Sequence, residues 1–426
     1  MSLENNSTNT SDNYQIYTFP NGIRLVHCRV NHTKIAHCGF SLEVGSRDEK
    51  AHQEGIAHFW EHMAFKGTQK RKAFHIINRL DAVGGELNAF TTKEKIVFYA
   101  SVLDEHSEKA IDILSDIAFR SIFPDKEIEK ERGVILEEMA MYKDNPIDLL
   151  DDEFDEVVFG NHALGKQILG TTESVKRFKR TDFEEFVGQN LDTSRLIFSS
   201  VSRLPFEKVK KMVEKYIADI PVYSSTLNRK PAPFIKARHI VKPKSISQAH
   251  CMIGGASYNL HDKKRIPFAL LNNYLGGPAL NSRLNLSLRE KYGLVYSVDA
   301  GFSAYSDSGM FAISFATEKK NLDRSLNLVL KQLDVLKEKP LGGGLFHTAK
   351  QQFKGQLAMA SESNSGLMIG MGKSFLDFGR MITLQEFFDK IDKLTVLDLQ
   401  EIAKDVFREE NLHRLIYMPD GTNEEE

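Results

Sequence analysis

Gly55-Ile56-Ala57-His58-Phe59-Trp60-Glu61-His62-Met63 is the stretch on which the reading of the whole chain turns. On a helix, residues three and four apart share a face, so His58, Glu61 and His62 project into one small volume while Phe59 and Met63 pack elsewhere. Two imidazoles and a carboxylate then converge. Imidazoles at this spacing can hold a zinc ion, and the carboxylate between them can take a proton from a water. A five-residue pattern also arises by chance in long chains, and a helical histidine is more often a surface or satisfied core residue than a ligand. The pentad therefore needs a further ligand before it reads as a metal centre.

A zinc site takes at least three protein ligands. The run Asp125 to Tyr142 reads as a helix and offers Glu131, Glu137 and Glu138, of which Glu131 and Glu138 lie two turns apart on one face with Ile135 between them. Glu138 stands 76 residues beyond His62. With His58-x-x-Glu61-His62 followed by a Glu at that distance, the sequence resembles the pitrilysin-type metallopeptidases. The wider segment Gly55 to Thr68, with Ala64-Phe65-Lys66-Gly67-Thr68, is similar to their processing-peptidase branch. The resemblance implies one zinc per chain, bound by His58, His62 and Glu138, with Glu61 as general base. Glu131 then matches a second acidic residue near the metal that orients a ligand or water, and Glu137 points about 100° away.

Composition narrows the class. The 426 residues are 41% hydrophobic and 27% charged, enough for large cores, and the net charge of −2 gives no footprint for nucleic acid or an anionic membrane. Cys28, Cys38 and Cys251 are too few and too scattered for a disulfide framework, which suggests a reducing, cytoplasmic setting. No run approaches the length of a membrane span. The Asn/Ser/Thr-rich start reads as a disordered leader over residues 1–13 without the marks of a targeting signal.

From Tyr14 onward the sequence opens with strands around the Asn21-Gly22 turn, Ile23 to Val30 and Ala36 to Val44. Ala73 to Val83 reads as helix, Glu86 to Thr91 and Ile96 to Val102 as strands, and Glu108 to Phe119 and Glu207 to Ile217 as amphipathic scaffold helices. In the resembling family an Asn-Ala-aromatic-Thr segment forms the edge strand that pairs with substrate backbone beside the zinc. The match makes Asn88, Ala89 and Phe90 substrate-binding candidates. His162 is weighed as another ligand and set aside, because the corresponding loop of the family is structural.

Residues 223–245 read as a linker, with Ser224-Ser225 and Lys230-Pro231-Ala232-Pro233 and no sustained period. It joins two copies of one design: Arg195-Leu196-Ile197-Phe198 recurs as Arg414-Leu415-Ile416-Tyr417, and the strand and helix at 96–119 recur at 309–336. The expected fold is therefore α+β, with homologous domains at 14–222 and 246–426, each a mainly antiparallel sheet flanked by helices.

The second copy has lost the metal: the counterpart of the pentad is Phe268-Ala269-Leu270-Leu271-Asn272. Gly342-Gly343-Gly344 opens a helix where relatives place acidic residues. By resemblance, Arg289 and Tyr296 reach across to the zinc of an opposing domain, hold a substrate carbonyl and stabilise its oxyanion. A zinc endopeptidase or oligopeptidase for unfolded peptides follows, working as a homodimer, or a heterodimer with a homologous subunit, that encloses a chamber. The alternatives are a non-catalytic subunit and a peptide-sequestering module of the same fold.

Overall fold

A computed structural model describes residues 14–420, so the leader read at 1–13 lies outside them. Strands β1 (Tyr14–Thr18), β2 (Arg24–Arg29), β3 (Ile35–Leu42), β4 (Glu86–Thr91), β5 (Ile96–Leu103) and β6 (Leu196–Ser202) form one sheet in the order β1-β2-β6-β3-β5-β4. Strands β7 (His239–Lys244), β8 (Ala249–Ala256), β9 (Val295–Ala304), β10 (Gly309–Thr317) and β11 (His413–Pro419) form a second, in the order β7-β11-β8-β10-β9. In each sheet one pair is parallel, β2 with β6 and β7 with β11, and every other pair is antiparallel. Apart from the extra edge strand β1, the two orders are the same, which is the internal repeat seen in space.

In the first half the helices are α1 (Ile56–Ala64), α2 (Ala73–Asp81), α3 (Ser107–Phe119), α4 (Asp125–Asp144), α5 (Pro146–Phe159), α6 (Thr172–Arg177), α7 (Arg180–Asn190) and α8 (Phe206–Ile217). The second half has α9 (Arg265–Gly276), α10 (Leu322–Glu338), α11 (Gly343–Ala360), α12 (Asn364–Phe378), α13 (Leu384–Asp392) and α14 (Val396–Val406). No helix among the described residues is long and apolar enough to cross a membrane.

Both faces of the central strands are covered, which is why all of β6 and nearly all of β3 are buried. On one face of the first sheet, Phe40, Phe98 and Phe198 pack with Trp60 of α1 and with α3, α7 and α8. The other face, Val26, Ile197 and Val201, is covered by Met368, Met371 and Phe375 of α12. That helix comes so close that a Cβ on Gly372 would stand 2.3 Å from the Ser41 hydroxyl oxygen, so a larger residue there would have to push that buried side chain aside. The second sheet is built alike. Phe268 of α9, Phe311 of β10 and Phe407 share its first core, while Leu150, Phe154, Val157 and Val158 of α5 cover the opposite face against Met252, Leu415 and Tyr417.

The compact units therefore do not follow the divisions expected at 14–222 and 246–426. One unit consists of residues up to Met139, Gln167–Asn228 and Ala360–Ile382, and the other of Ala140–Lys166, Arg229–Met359 and the chain from Thr383. Each half of the sequence lends a helix to the sheet of the other, because each sheet has a second apolar face that its own half leaves bare. The supposed linker 223–245 is also corrected: its end is edge strand β7, with Pro243 at a position that an edge tolerates. The acidic run at 148–156 lies within α5, which starts at Pro146 where the Asn145 side chain accepts from the Ile147 amide.

Candidate active site

The pentad helix is held from its N-terminus. Gly55 precedes α1 with φ +95°, a conformation that favours glycine, and its own side cannot cap the helix. Glu49 does so instead: one carboxylate oxygen accepts from the Gly55 amide at 2.9 Å and the other from the Ala57 amide at 2.8 Å. These bonds favour the charged form, but burial outweighs them and pushes the Glu49 carboxyl well above the ordinary carboxylate range. Phe59, Trp60 and Met63 anchor α1 in the core, with Phe59 edge-on to Phe183 at 5.0 Å. The remaining face turns His58, Glu61 and His62 toward α4.

There the three candidate ligands meet. The Nε2 atoms of His58 and His62 stand 3.8 and 3.5 Å from Glu138 Oε2. Donor atoms of the three residues all lie within 4.8 Å of one another. A tetrahedral zinc with bonds of about 2.0–2.1 Å spaces its ligand atoms about 3.4 Å apart, so these residues fit that ion. Burial and the neighbouring His62 push His58 down to about 3, which keeps its imidazole in the neutral form that ligates metals.

His62 is oriented from behind. Its Nδ1 lies 2.9 Å from Glu131 Oε1, and Glu131 Oε2 lies 2.6 Å from the Lys66 ammonium. Burial would lower His62, but the Glu131 bond and the surrounding carboxylates carry it above its usual value. In the same contact, burial would raise Glu131, yet His62 and Lys66 hold it below the ordinary range. Glu61 is 8% exposed and accepts from the Thr91 hydroxyl at 2.8 Å. Burial raises its carboxyl, only partly offset by Thr91 and His62.

His58, Glu61, His62, Glu131 and Glu138 are thus brought together in the first unit. Glu137, as its angle on the helix requires, is exposed. His162 serves its loop, with its ring nitrogens bonded to the Lys230 carbonyl and the Leu164 amide. Asn88, Ala89 and Phe90 do lie on an edge strand, β4, but its alternation divides them. Ala89 packs on the core that includes α1, while Phe90 turns to the opposite face, where Lys373 of α12 lies 5.0 Å from its ring centroid. Arg289 and Tyr296 belong to the second unit, where the guanidinium stands 5.7 Å from the tyrosine ring at an exposed position reached through a π-helical turn, Asn285–Glu290. The sequence reading passed over Glu49, Lys66 and Thr91. Only Thr91 had a visible signal, since strand alternation places it on the face of Ala89.

Two sheet-and-helix units of the same order, one carrying His-x-x-Glu-His on its first helix with a distant Glu brought to it, define the pitrilysin-type class. The chain belongs to peptidase family M16. The Insulinase (Peptidase family M16) model matches residues 25–172, and the model of the M16 inactive domain matches 177–353. The chain is 32% identical over 400 residues to an uncharacterized zinc protease, YmxG of Bacillus subtilis, with 94% of this chain and 97% of the relative covered. It is 28% identical over 395 residues to the mitochondrial-processing peptidase subunit beta of Saccharomyces cerevisiae, with 89% and 86% covered. Among solved structures, a protease from Helicobacter pylori has the same fold, with TM-score 0.88, 19% identity and 95% and 99% covered. The relatives' names support a peptidase function and a zinc cofactor.

Proposed function

We propose that this chain is a zinc-dependent endopeptidase or oligopeptidase that cleaves extended, unfolded peptides. The observation that carries the reading is the meeting of His58, His62 and Glu138, with Glu61 beside them. Zinc bound there supplies Lewis acidity, polarising a scissile carbonyl and making a water nucleophilic near neutral pH. Glu61 takes the water's proton and returns it to the leaving amine. Glu131 and Lys66 keep His62 turned so that Nε2 faces the ligand set. Strand β4, paired among the described residues on its β5 side alone, offers its other edge to the backbone of a peptide, with Asn88 and Ala89 at the point of addition and Phe90 set outward. Recognition through backbone tolerates varied side chains.

Arg289 and Tyr296 act in this reading on a site of a second chain, holding the substrate carbonyl as its charge develops. The working form is a homodimer, or a heterodimer with a homologous subunit, enclosing the substrate. The three cysteines are buried and free, in keeping with a cytoplasmic setting. A non-catalytic subunit or a peptide-sequestering module would bind without turnover, and the complete set of ligands and base favours the enzyme.

Zinc analysis joined to cleavage of an unstructured peptide tests the reading. About one zinc per chain is expected, with activity lost on chelation. Glu138→Ala should lose the metal and Glu137→Ala keep it; zinc retained in Glu138→Ala would remove Glu138 from the ligand set. For the shared site, Glu61→Gln and Tyr296→Phe are mixed. Activity should partly return, since a mixed dimer has one site with both residues intact, and no recovery despite demonstrated subunit exchange would rule that arrangement out.

A further inference from the structure

We infer that Thr91 is a positioning residue for Glu61, and that through it the strand offered to the substrate also aligns the base. The inference rests on the role given to Glu61 above. Thr91 closes β4, where it pairs with Ile96 of β5 and donates its hydroxyl to Glu61 Oε2 at 2.8 Å. Leu87 and Ala89, on the same face of the strand, pack against the core that includes α1, so the direction of this side chain is set by two preceding contacts of equal parity.

The backbone that carries the hydroxyl is fixed just beyond it. Thr92 and Lys95 close a tight turn, with the Thr92 amide on the Lys95 carbonyl at 2.8 Å and the Thr92 hydroxyl on the same carbonyl at 3.0 Å. From the side, the Ser46 and Arg47 amides donate to the Thr92 and Lys93 carbonyls at 3.2 and 2.7 Å. The Arg47 guanidinium meets Glu94 at 2.6 Å with both side chains almost wholly buried, and Lys95 meets Asp377 at 2.6 Å. A donor held this way is preorganised: it meets the carboxylate without first having to be ordered.

Glu61 sits on a flexible stem, so its carboxylate needs such a restraint. A hydroxyl donating to a carboxylate makes one of the stronger hydrogen bonds. With Oε2 engaged, Oε1 remains for the proton of the attacking water. A peptide adding to the outer edge of β4 lies along the same strand that presents the hydroxyl, so the peptide and the base are both registered to one preformed element. Loss of the hydroxyl should therefore show in turnover and leave binding alone.

Thr91→Val tests this, since valine keeps the size and branching and is at home in a strand. We expect kcat to fall about ten- to hundredfold, the scale of a misplaced reacting group. KM, zinc content and the affinity of the zinc-free protein for an unstructured peptide should stay within about twofold, and Thr91→Ser should restore most of kcat. In Glu61→Gln, adding Thr91→Val should cause no further loss, because the two act as one unit. An unchanged kcat in Thr91→Val, or no rescue by serine, overturns the inference. A fall in kcat matched by loss of zinc or thermal stability does so too, since it marks a merely structural role. Near-normal turnover in Glu61→Gln alone would instead defeat the assignment of the base itself, which separates the two failures.

Discussion

Helices α1 and α9 hold equivalent places: each follows the repeat's central antiparallel strand, β3 or β8, and each lies against an edge strand, β4 or β9. On α1 the strand-facing side carries Glu61, bonded to Thr91, with the two histidines beside it. On α9 the corresponding residues are Phe268 to Asn272. Phe268 joins an edge-to-face cluster with Phe302, Phe311 and Phe407, and the Asn272 amide donates to the Ala300 carbonyl of β9 at 2.8 Å. A helix–strand tie is thus kept in both units, by a neutral amide in one and a carboxylate in the other. Where the second unit has aromatic packing in place of the polar set, the sheet order is the same, so that order does not depend on His58, Glu61 and His62.

That comparison can be broken first at the exchanged helices. Met368, Met371 and Phe375 contribute roughly 5–9 kcal/mol by burial, an upper bound comparable with the whole stability of a domain. A fragment ending at residue 222 should therefore lack cooperative unfolding in calorimetry and should regain it when residues 223–426 are supplied in trans. A well-folded fragment would show that α12 is dispensable to the first sheet.

The next effect is on turnover. Glu61→Gln should retain zinc and peptide binding while losing at least about a hundredfold in kcat. Asn272→Ala, at the place of His62 in the second unit and likewise on the helix that lies against an edge strand, should leave kcat alone and cost about 1 kcal/mol in stability from the lost bond to a half-buried carbonyl. If the second substitution impaired catalysis as strongly as the first, the division of labour between the units would be wrong.

Smaller again is the outer support of the ligands. Lys66→Met leaves Glu131 without its cation and should weaken zinc binding about ten- to hundredfold in a chelator competition, while Lys66→Arg should retain most of the affinity. Unchanged affinity in Lys66→Met would mean that Glu131 is held well enough by His62.

Much of this was legible because it is local. The pentad, the helix bearing Glu138 and the strand Glu86–Thr91 are fixed by spacings of 3.6 or 2 within a few residues. The strand Gly309–Thr317 and the helix Leu322–Glu338 likewise appear where the repeat places them. What escaped depends on distant partners. Nothing near Asp148 to Glu156 says that Leu150, Phe154 and Val157 cover a sheet from the other half of the chain, and the acidic residues between them mask the stripe. Pro243 and alternate lysines hide β7, whose strand state comes from pairing with β11. Lys66 and Glu49 gain their roles only once α4 and the folded start of α1 surround them.

The exchange of helices also sets a clock on synthesis. A ribosome makes α5 before any strand of the second sheet, so that sheet finds its cover waiting. The first sheet has its last strand at Ser202, but the helix for its second face is complete only at Phe378, about 180 residues later. At roughly 5–20 residues per second, Val26, Ile197 and Val201 stay uncovered for roughly 10–35 s. For that interval the nascent half presents an apolar sheet face to the cell, a period in which chaperones would decide the yield.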